Sequence, residues 1–353
     1  MVVDPHGALR LRADLQLGRV EPGRVELAGE GRTVVVQGDA ASAVLPLLDG
    51  SRTLEQVAME LSGQLSLTEV VAVVGDLERR RYVVDEPLDG DRQVAAFWEP
   101  MGLGAAEAAD RLSRTTVEVV AVGAVDVQPL VDALEELGVR VVASDQASVV
   151  CVLAEDYLCD ELDGINKAML GAGRPWLLAR PLGVELWLGP LLEPGATGCW
   201  ACLARALSAG DPAASRPPLS LGKSPGAQRA LAGLVATKVA EVMVGGTIEA
   251  LRGRLVTIDS ATLCSETHLL VRYPDCPACG VATPRPAQGP LVLQPTPKAT
   301  REGGGHRARS LAETLASLEQ QVSRRLGVVR DLKPAVGPED AALHVWTAGL
   351  RFP

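Results

Sequence analysis

The sequence predicts an α/β protein in three parts: an N-terminal winged-helix-like unit, a Rossmann-type α/β domain, and a short α+β tail. Three observations predict it. Within the first 86 residues, short strand-like runs give way to helical periodicity. From about residue 93, apolar strands alternate with helices. Two Cys-x-x-Cys pairs follow in the second half of the chain.

In the first part, residues 1–88, Leu9–Leu15, Arg24–Leu27 and Arg32–Val36 are alternating or β-branched runs divided by Gly-rich turns such as Ala28-Gly29-Glu30-Gly31. Then the period changes. Ala41–Leu48 ends at Asp49-Gly50, and Thr53 can cap Leu54–Leu61 with Gln56 as its capping-box partner. Leu67–Arg81 places Leu67, Val70, Val71, Val74 and Leu77 on one helical face, and Tyr82-Val83-Val84 closes the unit. Asp85–Asp91 reads as an acidic linker.

The second part, residues 89–283, opens as a βαβ unit: strands Thr116–Val122 and Arg140–Ala143 flank the helix Val127–Leu137. The strand Val149–Ala154, the helix Asp160–Ala172 and the strand Trp176–Arg180 follow. Gln228–Val244 reads as a long apolar helix, hence buried. The third part, residues 284–353, begins within the Pro-rich stretch Ala282–Lys298, a linker, and holds one helix, Leu311–Leu326, and one short strand.

With 353 residues, 47% of them hydrophobic, the chain can bury a sizeable core. Its formal charge of −10 disfavours nucleic acid as a partner, because phosphate binding is dominated by Lys and Arg. No apolar run reaches the ~18 residues of a membrane span. The start MVVDPHGALRLR lacks the pattern of a secretory signal. The expectation is a cytoplasmic protein with neither membrane nor nucleic acid among its partners. The seven cysteines do not form a disulfide framework, and in a reducing compartment the paired ones point to metal.

Cys199-Trp-Ala-Cys202 and Cys276-Pro-Ala-Cys279 are the most specific feature. Two thiolates at i and i+3 on a turn take two corners of a tetrahedron, and a second such knuckle completes it. A catalytic zinc needs an open position, which four thiolates close, so the expectation is a structural Zn2+ rather than a catalytic ion or a redox dithiol. Cys151, in an apolar strand, reads as core.

A dinucleotide fingerprint after the strand Thr116–Val122 would need glycine at 123, 125 and 128. Gly123 is present, but Val125 and Gln128 stand at the other two positions. Asp145 is at a suitable distance for a ribose hydroxyl. The missing glycines predict a Rossmann-like fold without a working phosphate site, and no ATP on this chain. His6, His268, His306 and His344 are scattered outside any motif. Arg79-Arg80-Arg81 reads as a solvated helix end, or as a basic cluster for an acidic peptide.

Several segments resemble known families. GPLLEPGATGCWACL (189–203) and YPDCPACG (273–280) resemble the zinc-knuckle region of ThiF-type adenylating enzymes, and more closely their degenerate relatives in azole-forming (TOMM) peptide clusters. AAFWEPMGLGAAEAADRLSRTTVEVVAVG (95–123) and CVLAEDYLCDELDGINKAMLGAGRPWL (151–177) fit the same relatives. The N-terminal unit resembles the PqqD-like winged helix that recognises leader peptides, and GGGHRARSLAETLASLEQQVSRRLGVVRDLKP (303–334) resembles the opening of a YcaO domain. The resemblance implies a non-catalytic component of a YcaO cyclodehydratase complex that forms thiazoline and oxazoline rings from Cys, Ser and Thr of ribosomal peptides such as bacteriocins. Its implied partners are the leader of a precursor peptide and a YcaO enzyme, with a homodimer left open. The implied leader site is the edge strand Thr33, Val34, Val35 and Val36, flanked by Val73, Asp76 and Arg80. The YcaO-like portion stops at Pro353, before the region where the family's ATP-binding residues are expected, so the resemblance implies a partner or a fragment of a cyclodehydratase rather than a complete one. The alternative is an active ThiF-type ATP-dependent adenylyltransferase.

Overall fold

The structure, a computed structural model, describes residues 7–85, 88, 90–143, 146–210, 222–245, 250–280, 298, 308–319, 321–327, 329–335 and 346–350. The chain divides into two units: Met1–Arg114 with Val242–Gly246, and Thr115–Glu241 with Thr247–Pro353.

In the first unit, β1 (Ala8–Leu11) precedes a meander of β2 (Gln16–Glu21), β3 (Arg24–Gly29) and β4 (Arg32–Gln37). Next come α1 (Asp39–Val44), β5 (Asp49–Thr53), α2 (Leu54–Glu60), α3 (Leu67–Arg79) and β6 (Val83–Val84). The strands form two small sheets, β2-β3-β4 and β5-β1-β6. The first strand stops at Leu11 rather than Leu15, because the chain turns where the Leu15 N–H donates to the Arg12 carbonyl at 2.9 Å. Neither β2 nor β5 was expected. Side chains of β2 are mostly exposed and those of β5, DGSRT, are polar, so neither shows an apolar alternation.

Leu9, Leu15, Leu27, Val36, Val44, Val57, Val70, Val74 and Leu77 form one core. Burying each such side chain contributes roughly 1.5–3 kcal/mol. The expected capping box on α2 is present, with Gln56 N donating to Thr53 Oγ1 at 3.3 Å and Thr53 N to Gln56 Oε1 at 2.9 Å. A second box, Ser66 with Glu69, starts α3. On α3, Val70, Val74 and Leu77 face the core, whereas Leu67 and Val71 are exposed. Helices α4 (Arg92–Trp98) and α5 (Ala105–Arg114) complete this unit. Between them, the buried Glu99 carboxylate accepts from Arg10 Nη2 at 2.6 Å, Arg10 Nη1 at 3.1 Å and the Ala13 N–H at 2.6 Å.

The second unit is a mixed α/β structure on a seven-stranded sheet. Its elements are β7 (Thr116–Val122), α6 (Gln128–Glu136), β8 (Arg140–Val141), β9 (Val149–Ala154), α7 (Glu161–Ala172), β10 (Trp176–Arg180) and β11 (Glu185–Leu192). Then follow α8 (Trp200–Gly210), α9 (Pro225–Gly245, which belongs to this unit as far as Glu241), β12 (Arg254–Asp259) and β13 (Ser265–Leu269). The strand order is β13-β12-β11-β10-β9-β7-β8. Strands β8, β7, β9 and β10 run parallel, while β11, β12 and β13 continue the sheet antiparallel. Every residue of β9, VVCVLA, is buried, as a central parallel strand requires.

Beyond the sheet lie α10 (Leu311–Glu319) and the antiparallel pair β14 (Val329–Pro334) and β15 (Trp346–Leu350). The helix expected over Leu311–Leu326 stops at Glu319, and Leu326 sits instead in a separate turn buried against the main core. That turn is tied down by a 2.6 Å ion pair between Arg325 and Glu185. No helix among the described residues is long and apolar enough to cross a membrane. Of the Pro-rich stretch Ala282–Lys298, all but Lys298 lies outside the described residues.

Candidate functional site

Cys199 immediately precedes α8 and Cys202 sits in its first turn; Cys276 and Cys279 lie in the turn beyond β13. Because β11, β12 and β13 are neighbours, the chain leaving β11 and the chain leaving β13 meet at one place. Cys199 Sγ lies 3.7 Å from Cys276 Sγ, and Cys202 Sγ lies 3.5 Å from Cys279 Sγ. All four sulfurs fall within 4.8 Å of one another. A tetrahedral ion with metal–sulfur bonds of about 2.3 Å has sulfur–sulfur edges of about 3.8 Å, so this donor set fits a metal such as zinc. Cys199, Cys202 and Cys276 are buried, and four sulfurs fill a tetrahedral shell.

Glycine at 280 is required beside the second knuckle, and Gly198 is closely packed beside the first. A Cβ on Gly280 would lie 2.4 Å from the Cys276 carbonyl, and one on Gly198 would lie 3.1 Å from Leu270 Cγ. Arg272 donates to the Gly195 carbonyl at 3.0 Å and also to the Cys279 carbonyl, which links the two turns. Arg205 pairs with Asp275 at 2.9 Å and lies over the Tyr273 ring. The sulfurs share protons: hydrogen bonding from Cys202 holds the Cys199 thiol down at about 5, and the same contact pushes Cys202 up. Away from this cluster, burial alone pushes the Cys151 thiol up to about 12, as fits a core residue.

The turn after β7 is arranged differently from a phosphate cradle. Gly123 has φ of 78°, and a Cβ there would lie 2.9 Å from Glu155. The Ala124 N–H donates to Glu155 Oε2 at 3.0 Å, and the Gln128 N–H donates to Asp126 Oδ1 at 3.0 Å. Two carboxylates thus take backbone donors of this turn, and Val125 is buried beside them. Glu155 carried no local signal in the sequence, since the bond spans 31 positions. Asp145 lies outside the described residues, as do His6, His306 and His344. His268 is buried, with Nε2 at 3.1 Å from Thr257 Oγ1 and Nδ1 at 2.8 Å from Ser323 Oγ, the bonding of a satisfied core histidine.

Thr33, Val34, Val35 and Val36 all lie on β4, which pairs with β3 alone among the described strands. The two-residue turn Glu30-Gly31 makes Gly29 and Arg32 the closing hydrogen-bonded pair. Alternation then turns the N–H and C=O of Thr33, Val35 and Gln37 to the open side. Val36 is buried and Val34 packs on the core, whereas Thr33 and Val35 are exposed. On α3, Val73 packs against the same core. Asp76 is held by Arg79 at 3.0 Å and by Arg80 at 2.8 Å, so Asp76 and Arg80 stand together as an ion pair.

No protein-family model matches this chain, and no curated protein does. Solved structures do. A heterocyclase in complex with substrate and cofactor is 29% identical, with a TM-score of 0.76, over 98% of this chain and 49% of that one. The heterocyclase TruD is 30% identical, with a TM-score of 0.72, over 92% of this chain and 49% of that one. This chain is similar to heterocyclases. It spans about half their length. The microcin C7 biosynthetic enzyme MccB, in complex with N-formylated MccA, shares the fold at 13% identity and a TM-score of 0.59, over 77% of this chain and 99% of that one. Escherichia coli MccB on its own gives a TM-score of 0.58 at 14% identity.

Proposed function

We propose that this chain binds the leader of a ribosomal precursor peptide and presents the peptide to a YcaO enzyme for ATP-dependent cyclodehydration of Cys, Ser or Thr to azolines. The observation that carries the reading is the similarity to a heterocyclase solved with its substrate, which extends over 98% of this chain. In this reading residues 1–88 are a winged-helix, PqqD-like recognition domain, residues 89–283 a ThiF-like scaffold with a structural zinc, and residues 284–353 a linker and the start of a YcaO-like segment. The leader adds as a strand to β4, where outward N–H and C=O groups of Thr33, Val35 and Gln37 supply the main-chain bonds. Val73, Asp76 and Arg80 flank it. The chain raises the effective concentration of the core peptide at the partner's active site and supplies no catalytic group.

Cys199, Cys202, Cys276 and Cys279 hold the zinc, whose role is to fasten the turns beyond β11 and β13 together. The rival reading, an ATP-dependent adenylyltransferase, is disfavoured by the carboxylates of Glu155 and Asp126 at the turn after β7. The test is titration of labelled synthetic leader peptides of azoline-containing ribosomal peptides into the full-length protein and its Val35→Pro variant. Proline at 35 removes an outward donor while leaving the β3–β4 bonds, so the variant is expected to stay folded and lose binding. Equal binding by both proteins overturns the site.

A further inference from the structure

We infer that Asn166, on α7, is a positioning residue of the metal centre: it caps α8 from a neighbouring helix and so fixes the direction in which Cys199 presents its sulfur. The inference rests on the zinc reading above. Asn166 is completely buried on a helix whose Leu162, Ile165 and Met169 pack into the main core. An amide at such a position costs free energy unless a specific hydrogen bond compensates it. Its Oδ1 accepts the Trp200 N–H at 3.0 Å, and Trp200 is the residue after Cys199 and the first of α8.

The need for that bond follows from what Cys199 is. The Leu203 N–H donates to the Cys199 carbonyl at 3.1 Å, which makes Cys199 the residue that opens the helix. A residue in that place ordinarily turns its own side chain back to accept the free N–H groups of the first turn. The Cys199 sulfur takes the Cys202 N–H in this way, but it cannot also serve the N–H of Trp200, the first residue of the helix. Asn166 supplies the oxygen for that first N–H, across 34 positions of sequence. Trp200 is held a second time, its indole N–H donating to the Tyr157 carbonyl at 2.8 Å. Asn166 Nδ2 has no protein partner among the described residues. Asn166 and Cys199 also line one cavity of about 10 Å³ with Glu193, Thr197 and Gly198, room for about one water. Replacing a group that orients a metal ligand in this way typically costs about 10- to 100-fold in metal affinity.

The experiment uses the full chain and three substitutions: Asn166→Leu, which removes the acceptor in nearly the same volume, Asn166→Gln, which shifts it by one methylene, and Asn166→Asp, which retains it. Zinc content is measured on the purified proteins, followed by the rate of zinc transfer to a chromogenic chelator and the absorption spectrum after cobalt replacement. Wild-type protein is expected to carry one zinc. Asn166→Leu and Asn166→Gln should release it at least about 10-fold faster and alter the cobalt–thiolate bands, while Asn166→Asp stays within a few-fold of wild type. If Asn166→Leu does not fold, Asn166→Gln carries the same expectation. Release rates and spectra matching wild type in the folded variants overturn the inference. Wild-type protein without zinc overturns the zinc reading itself.

Discussion

Replacing Cys276 by serine removes one corner of the sulfur tetrahedron, and the structure sets the size of the effect. Cys199 and Cys276 are 77 positions apart, so the metal closes a loop of about that length. Treated like a covalent cross-link, a closure of this length restricts the unfolded chain by about 4.5 kcal/mol at 25 °C. For a unit of this size that corresponds to a fall in Tm of about 10–15 °C. The three thiolates that remain hold zinc too weakly to keep that closure, so the stabilisation linked to metal binding is lost with the ion. The assay is zinc analysis of freshly purified protein combined with thermal unfolding with and without a chelator. Chelator should lower the wild-type Tm toward that of Cys276→Ser and leave the variant unmoved. Cys264→Ser, at an exposed thiol outside the cluster, is the control and should match wild type. A Cys276→Ser protein with full zinc content and an unchanged Tm would refute the reasoning.

Three further outcomes are expected. Glu99→Leu strips Arg10 of its buried carboxylate and the Ala13 N–H of its acceptor, so denaturation of the first unit should shift by roughly 3–5 kcal/mol; an unchanged midpoint contradicts the pairing. Hydrogen bonds from Ser51, with Arg52 adding, hold the Asp49 carboxyl down at about 2. Because that value lies below the unfolded one, its contribution is present above about pH 4 and is lost as the pH falls toward 2. Solvent screening limits it to under about 1 kcal/mol. Asp49→Asn should flatten the stability profile across that interval, and an identical profile speaks against the assignment. The purified chain should neither hydrolyse ATP nor exchange pyrophosphate, because Glu155 and Asp126 take the N–H groups of the turn; turnover that follows the protein through purification would restore the adenylyltransferase reading.

What could be read from the sequence was what local spacing encodes. The Thr53–Gln56 capping box and the cores of α3, β7, β9 and β10 follow from short patterns, and so did the two cysteine knuckles. Ser66 and Glu69 show the same box signature and were equally legible, yet the helix was placed from its apolar face alone. That face was drawn too wide: Leu67 and Val71 share the stripe but remain exposed, because only Val70, Val74 and Leu77 meet the core. The antiparallel half of the large sheet was missed. Gly189-Pro190 interrupts β11, and β13 exposes most of its side chains, so neither reads as a strand by pattern. Glu99, Glu155 and Asn166 were invisible for a different reason, since each acts on a partner far away in sequence. The one hint was polarity out of place: Asn166 stands where Leu162, Ile165 and Met169 predict another apolar residue.

The central claim, that a peptide adds to the open edge of β4, is tested most directly by amide hydrogen exchange of the full chain with and without saturating leader peptide. In the β3–β4 register, the N–H groups of Thr33, Val35 and Gln37 face outward, while those of Val34 and Val36 already bond to β3. Strand addition therefore predicts slowed exchange at residues 33, 35 and 37, with little change at 34 and 36. Binding that leaves those three amides exchanging as fast as in the free protein, with protection arising elsewhere, would contradict the account.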